Sequence, residues 1–426
     1  MQQRVWHNAI HINRKIIKIM QALFLGAGAS FDCGLPLTWE LTAEIQRWLT
    51  PERLAAYNAG WEEQGVHWNE RVIARINELV ADEDRDYEQV LQILARESQT
   101  AAYEFLQRDY HQAYCFYAQI VYAFLLERQA RNYNFTSVVL KDYDSLKNLM
   151  ELNRPLWIFS TNQDVVVELL AARLGVPLKC GVRNTKTITI GDGSVTRDIQ
   201  FEELRVDAAA PEPDFFSAGE YGINLVKLYG GLDMFLAEDG RSLLKLKPDA
   251  QRPSEYIADL VFINQVNQAL ALKQNGVVTN RSLYQDSEGK LQWLERSLIA
   301  GYQHLPQEQS ACFPDAFRLM EQVLPELEEV IVIGSRLENS VISGMLANWV
   351  SDSRRRLLVV DPAHRDLPRA LEESEGNIRP LRQGVTEFFL GLDQRSNIYT
   401  SLLRNFQRNM RRKVRMKLLR SLTLKS

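Results

Sequence analysis

Cysteine is scarce in this chain, with four residues in 426, at Cys33, Cys115, Cys180 and Cys312. They lie far apart and form no CxxC pair, which excludes a zinc knuckle or a disulfide framework and fits a reducing cytoplasm. No zinc is expected. No stretch approaches the roughly 20 apolar residues a membrane span requires, so no membrane partner is expected either. The net charge is small, −4 at pH 7, which removes any global pull toward nucleic acid and leaves basic surface a local matter. Histidine is also sparse, six in all. His304 and His364 stand alone, and His7 and His11, spaced like helical metal ligands, enclose Asn8, Ala9 and Ile10 with no catalytic carboxylate. No metal site is assigned. Residues 1–20, with Arg4, Arg14, Lys15 and Lys18 among short apolar groups, lack the apolar run and cleavage site of a secretion signal and are expected to form an arm.

What is present is an ordinary globular composition, 46% hydrophobic and 24% charged, on a chain long enough for a large core. The apolar run Ala22-Leu23-Phe24-Leu25 reads as a buried parallel strand. It breaks into Gly26-Ala27-Gly28-Ala29-Ser30 before a polar, helix-compatible segment. Gly26 allows a tight turn, Gly28 lets the backbone approach a pyrophosphate, and the amides and dipole of a following helix favour an anion. Ser30 reads equally as part of that anion site or as a helix cap. A dinucleotide dehydrogenase would continue with a second strand ending in an acidic residue about twenty positions on. Instead, residues 40–150 run through helical patterns such as Glu44 to Leu49 and Tyr87 to Leu94. Asp82, Glu83, Asp84 and Asp86 stand just before one of these helices, where negative charge suits an N-terminus. The aromatic run from Tyr103 to Phe124 reads as core packing.

Strand signals return at Pro155-Leu156-Trp157-Ile158-Phe159, which runs straight into Ser160-Thr161-Asn162-Gln163-Asp164. Polar residues at the C-terminal end of a buried strand lie where open α/β sheets bind ligands, although Asn162 and Asp164 read as well as caps of the next helix. Three further strands end alike: Asn224 to Leu228 at Tyr229 and Gly230-Gly231, Glu329 to Ile333 at Gly334-Ser335, and Arg356 to Val360 at Asp361-Pro362. Strand-to-helix units so spaced predict an α/β fold, a Rossmann-like parallel sheet with helices on both faces, plus an inserted helical block. Thr185 to Gln200 suggests a hairpin, residues 208–213 a loop at the pocket mouth, and Ser297 to Phe317 a helix broken at Pro306 and Pro314.

From Arg404 to Lys425 the chain carries nine basic residues and no acidic ones, with Leu403, Phe406, Met410, Val414 and Leu418 at helical intervals. A basic amphipathic helix is expected over 396–426. It suits a protein partner or self-assembly into a homo-oligomer, with nucleic acid and a packed terminal helix as the alternatives, because an apolar stripe calls for a dry surface.

In order and content these edges resemble the sirtuin family of NAD-binding domains. A GAGxS turn and a GIP-like step are matched by Gly26 to Ser30 and Gly34-Leu35-Pro36, and a TQNID segment by Ser160 to Asp164. A KLHG segment is matched by Lys227-Leu228-Tyr229-Gly230, a late glycine-serine turn by Gly334-Ser335, and a ribose-binding strand end by Asp361. The resemblance implies a domain over 21–395, interrupted by the 40–150 block, with NAD held by Gly26, Ala27, Gly28, Ser30, Pro36, Thr161, Gly334, Ser335 and Asp361. It implies catalytic roles for Asn162, Asp164 and Tyr229, with Asn162 orienting a water under the nicotinamide ribose. Deacylating sirtuins use the KLHG histidine as base, whereas Tyr229, with an ordinary pKa of about 10, is a poor one. The four-cysteine zinc module and the aspartate-phenylalanine-arginine run after the GIP step are missing too. Protein deacylation is therefore not expected. The pattern is closer to the sirtuin-like NAD hydrolases of bacterial antiphage defence, which carry such a helical insertion. That likeness implies release of nicotinamide from NAD and a HerA-type ring ATPase partner. A nucleotide-binding sensor or scaffold and a DNA-processing component are the alternatives.

Overall fold

The structure is a computed structural model. It describes residues 20–392, apart from 64, 66, 206–212, 249–251, 274–279, 298–315, 364–366 and 373–374, together with 406, 409, 410 and 413. The arm, His7, His11, His304, His364, Cys312, nearly all of the basic tail and most of the 208–213 loop lie outside the described residues.

Seven parallel strands form one sheet in the order Ile378–Leu381, Arg356–Val360, Glu329–Ile333, Gln21–Leu25, Leu156–Ser160, Ile223–Lys227, Leu178–Lys179. Its centre is Gln21–Leu25, where Ala22, Leu23, Phe24 and Leu25 are all buried in succession. Burial of consecutive residues means that both faces are covered, the condition a parallel sheet needs and the reason these strands read as unbroken apolar runs. From the central strand the chain builds outward first on one side and later, from Glu329 on, on the other. The strand order therefore reverses between Gln21–Leu25 and Glu329–Ile333, and a crevice opens there at the C-terminal edge.

The segment after the glycine turn differs from the expected helix. Two single 3-10 turns, Ala27–Ala29 and Phe31–Cys33, come first, and the α-helix proper spans Thr38–Trp48. Gly34 ends the second turn in the left-handed region at φ 92°, and Pro36 disfavours helical backbone at Leu35. The long anion-facing dipole drawn from the sequence is absent at this turn.

The helical block runs from Thr38–Trp48 through the 28-residue Glu104–Arg131 to Leu146–Leu152. Its core is aromatic: Trp61 and Trp68 lie 4.4 Å apart between ring centroids, and Phe116 meets both edge-on. Tyr114, Tyr117 and Tyr122 are buried as the sequence suggested, while Tyr103 and Phe105 at the start of the long helix are exposed. The block also braces the glycine loop. Tyr143 donates to the Ala29 carbonyl (2.9 Å), Thr136 to Cys33 (2.8 Å) and Asn132 to Gly34 (2.7 Å).

Asn184–Gly191 and Thr196–Arg205 form the expected hairpin, but it belongs to a larger unit that the sequence did not reveal. Six antiparallel strands close into a barrel in the order Leu291–Arg296, Met234–Ala237, Ser242–Leu246, Thr196–Arg205, Asn184–Gly191, Arg281–Gln285. A buried charge cluster joins barrel to sheet. Lys245 of the barrel contacts Glu168 of the Val166–Leu174 helix (2.8 Å) and Asp233, and Lys227 at the sheet edge contacts the same Glu168 (3.1 Å).

Candidate functional site

The loops that follow six of the seven parallel strands line one cleft of about 570 Å³ at the strand-order reversal. Its walls include Gly26, Ala27, Gly28, Pro36, Thr161, Asn162, Asp164, Tyr229, Gly334, Ser335 and Asp361. Of the residues singled out from the sequence, Ser30 alone is not in the wall. It is buried behind it, and its side chain caps no helix.

The glycines have a second role that the sequence could not disclose. A Cβ on Gly26 would stand 2.6 Å from the Ser335 Cα, one on Gly28 2.7 Å from the Gly334 Cα, and one on Gly334 2.4 Å from the Ala29 nitrogen. The two loops are packed backbone on backbone, sealed by the Gly28 amide donating to the Gly334 carbonyl (2.9 Å). Gly334 also has φ 65°, a region that costs an L-residue about 1–2 kcal/mol. Gly334→Ala combines that strain with overpacking worth about 1–3 kcal/mol. The expected result is a lowered melting temperature together with loss of nucleotide binding, read by thermal unfolding and by calorimetric titration with ADP-ribose.

At the next strand end Asn162 is held by both of its amide hydrogens. Nδ2 donates to the Gly26 carbonyl (2.9 Å) and to Ser30 Oγ (3.2 Å). A carbonyl can only accept, so the nitrogen must face it and Oδ1 is the atom left to accept from a further group. The Ser30 hydroxyl in turn donates to the Asp164 carboxylate, whose Oδ1 also accepts from the Val166 amide (2.9 Å). Asp164 thus does what the cautious sequence reading allowed, bonding a first-turn amide of the next helix, whereas Asn162 does not. Burial pushes the Asp164 carboxyl up, and the Lys227 ammonium, the Val166 amide and the Ser30 hydroxyl oppose the rise. Lys227 also donates to the Asp164 backbone carbonyl, tying the Thr161 to Asp164 loop to the neighbouring strand.

Tyr229 is buried, and its ring tilts over Phe317 at 6.4 Å. Burial, followed by the nearby Glu88 carboxylate, pushes its hydroxyl well above the ordinary tyrosine value, so it stays neutral. That hydroxyl accepts from Asn339 Nδ2 (2.8 Å) and keeps its own proton to donate. Asn339 is a residue that sequence reasoning did not assign to the site. It caps the helix Ser340–Val350 through Oδ1, which accepts from Val341 (3.0 Å) and Ile342 (3.2 Å), while its other amide arm orients Tyr229. An asparagine directly before an apolar helix was the visible signal. Nearby, Leu337 holds φ 55°, a left-handed backbone that a leucine adopts only under constraint, and the Ser335 hydroxyl accepts from its amide (3.1 Å). Asp361 uses Oδ1 to accept from the Ala363 amide (2.8 Å) at the last strand end.

The helical block closes the cleft from a direction the sequence did not indicate. Asp86, Tyr87, Glu88, Gln89 and Gln92 all line it. Asp86 does cap its helix, accepting from the Gln89 amide (2.9 Å) while Gln89 accepts from the Asp86 amide (3.1 Å). The cap and the cleft wall are one structure. Among the described residues no group of three or more histidine, cysteine, aspartate or glutamate side chains is placed to hold a metal ion, and no helix is long and apolar enough to cross a membrane. Cys33, Cys115 and Cys180 are buried and unbonded to one another.

No family model matches the sequence, and no curated protein matches it. Solved structures do. The chain is similar to a Sir2 homologue in complex with NAD, at 12% identity and a TM-score of 0.37, over 88% of this chain and 87% of that one. It is also similar to a Sir2–p53 peptide–NAD+ complex at 11% identity and a TM-score of 0.34, over 87% and 90%. A sirtuin solved for substrate affinity gives 11% identity and a TM-score of 0.36, over 89% and 94%. At such identity the function has to come from the site itself.

Proposed function

We propose that this chain binds NAD in the cleft and hydrolyses it to nicotinamide and ADP-ribose. The observation that carries the reading is the convergence of Gly26 to Gly28, Asn162, Tyr229, Gly334-Ser335 and Asp361, from strand ends up to about 340 residues apart in sequence, on one cavity whose volume suits a dinucleotide. The pyrophosphate lies along the packed glycine loops, and Asp361 takes ribose hydroxyls. Nicotinamide leaves as a neutral ring when the glycosidic bond breaks, so the substrate carries its own good leaving group. Asn162 Oδ1 holds the attacking water, Tyr229 donates to the nicotinamide ribose, and the Ser30–Asp164 pair keeps Asn162 in place. Positioning of this kind lowers the barrier without a strong base at Tyr229. The same buried, neutral Tyr229 argues against peptide deacylation, which needs a base there.

The sequence resemblance extends the proposal to antiphage defence by NAD depletion, in a homo-oligomer with a HerA-type ring ATPase. The test is nicotinamide release by the purified chain, alone and with a candidate ring partner. Turnover in either condition is the expected result. ADP-ribose binding without turnover in both would select a nucleotide-binding sensor instead.

A further inference from the structure

Hydrolysis needs somewhere for the water proton to go, and the three residues proposed to act at the anomeric carbon do not supply it. Asn162 has no basic atom, Tyr229 is neutral and already accepts from Asn339, and Asp164 is engaged by Val166 and Ser30. The helical block brings a carboxylate to the same cleft. Glu88 sits in the first turn of Tyr87–Thr100, lines the same cleft, and lies close enough to Tyr229 to raise its pKa. Its seat is rigid: the Asp86–Gln89 capping box fixes the helix start, the Tyr87 amide donates to Thr42 Oγ1 (3.0 Å), and the Tyr87 hydroxyl donates to Glu88 Oε1 (3.2 Å).

The geometry points to Glu88, contributed by the helical block, as the group that accepts the proton of the attacking water. The inference rests on the NAD-hydrolase reading and deepens it. In the step, the glycosidic C–N bond breaks and its electron pair passes to the nicotinamide ring nitrogen. The water oxygen bonds the anomeric carbon, and one water proton moves to the Glu88 carboxylate and from there to solvent. A carboxylate beside the anomeric carbon also stabilises the oxocarbenium charge that develops first.

The charged and titratable groups facing Glu88 are Asp86 and Tyr87 on its own helix, Tyr229 across the cleft, and Glu338, which Arg336 pairs at 3.3 Å. Burial, then the Asp86 carboxylate, pushes Glu88 up to about 8, and the Tyr87 hydroxyl holds it back. A base works only when ionised, so activity must rise as pH rises through about 8 and level off above it. An ordinary carboxylate near 4.3 would give a plateau across this range.

The test is kcat and KM for nicotinamide release by the full chain from pH 6 to 10, with thermal melting and ADP-ribose titration as controls. Wild type should show the rise near pH 8. Glu88→Gln should lose about a hundredfold or more in kcat, lose the rise, and keep its melting temperature and its ADP-ribose affinity within about twofold. Tyr87→Phe, which removes the bond holding the carboxyl down, should move the rise to higher pH. A wild-type plateau from pH 6 to 9, a Glu88→Gln enzyme within about threefold of wild type, or an unmoved rise in Tyr87→Phe overturns the assignment while leaving the hydrolase reading intact. A wild type that releases no nicotinamide under any condition overturns both.

Discussion

Replacing Asn162 by alanine is expected to lower nicotinamide release by at least about a hundredfold while the chain stays folded and still binds ADP-ribose. The size follows from what the side chain does. Removing one preorganised polar group at a reacting centre typically costs about 10²–10³ in kcat. Asn162 fixes its own orientation through Gly26 and Ser30 and presents Oδ1 to the cleft. Alanine removes the water ligand and two hydrogen bonds at once. Those two bonds contribute only about 1 kcal/mol each to stability, and Asn162 is only half-buried, so water can solvate the Gly26 carbonyl in its place. The effect should therefore fall on kcat with little change in KM, which separates a catalytic loss from a collapsed pocket. Asn162→Asp is a sharper comparison, since a carboxylate oxygen would then face the Gly26 carbonyl.

The largest stability effect is expected at Lys245. This residue is buried with Glu168 and Asp233 around its ammonium, and the Tyr256 hydroxyl also donates to Asp233. Lys245→Met removes the cation and keeps the volume, leaving Asp233 as a buried carboxylate with its main partner gone. Breaking such a pair costs about 3–5 kcal/mol, a large part of the roughly 5–15 kcal/mol that holds a folded chain together. Denaturant unfolding should show it, and a second change, Asp233→Leu, should recover part of the loss because no unpaired charge then remains. The pH dependence has a definite sign. Burial raises the Asp233 pKa, but the Lys245 and Lys227 ammonium groups outweigh it and hold the carboxyl below its ordinary value. Its stabilisation is present above the ordinary carboxylate range and is lost as pH falls through the depressed folded value. For Lys245, burial lowers the pKa and the Asp233 and Glu168 carboxylates outweigh burial. Its contribution is present below the ordinary lysine range and is lost only as pH rises through the raised folded value. In Lys245→Met the Asp233 pKa rises, so the acid-side loss due to this carboxyl should shrink and the deficit relative to wild type should narrow as pH falls, because protonation relieves the unpaired buried charge.

The sheet and its cleft-lining edge were legible because parallel strands buried on both faces leave an unbroken apolar run, and the polar residues directly after each run stand out. Gly26, Asn162, Tyr229, Gly334 and Asp361 were all found in that way. What was not legible depends on which segments meet. Gly26 reads as a tight turn, Gly28 as room for a pyrophosphate and Gly334 as part of a late turn, yet each is also required by the approach of one loop to the other. Asp86 looks like a cap and is one, so nothing local says that its neighbour Glu88 reaches a cleft built about 75 and 140 residues further along the chain, at Asn162 and Tyr229. Nothing local marks Lys227 and Lys245 as parts of one charge cluster, because their partner Glu168 is distant in sequence. The barrel escaped for a related reason. The sheet strand Ile223–Lys227 and the helix Pro253–Lys273 fall between its strands, and closure depends on pairing Gly191 with Gln285 across some ninety residues. Ser30, read equally as part of an anion site or as a helix cap, faces the Asn162–Asp164 loop and caps no helix, since the chain there makes 3-10 turns and starts its α-helix only after Pro36.

The most direct measurement is an experimental structure of the chain with ADP-ribose bound. The pyrophosphate should lie against Gly26 to Gly28 and Gly334-Ser335, with the anomeric carbon facing Asn162 and the ribose within reach of Tyr229. A ligand bound elsewhere, or one whose anomeric carbon points away from Asn162, would contradict the account.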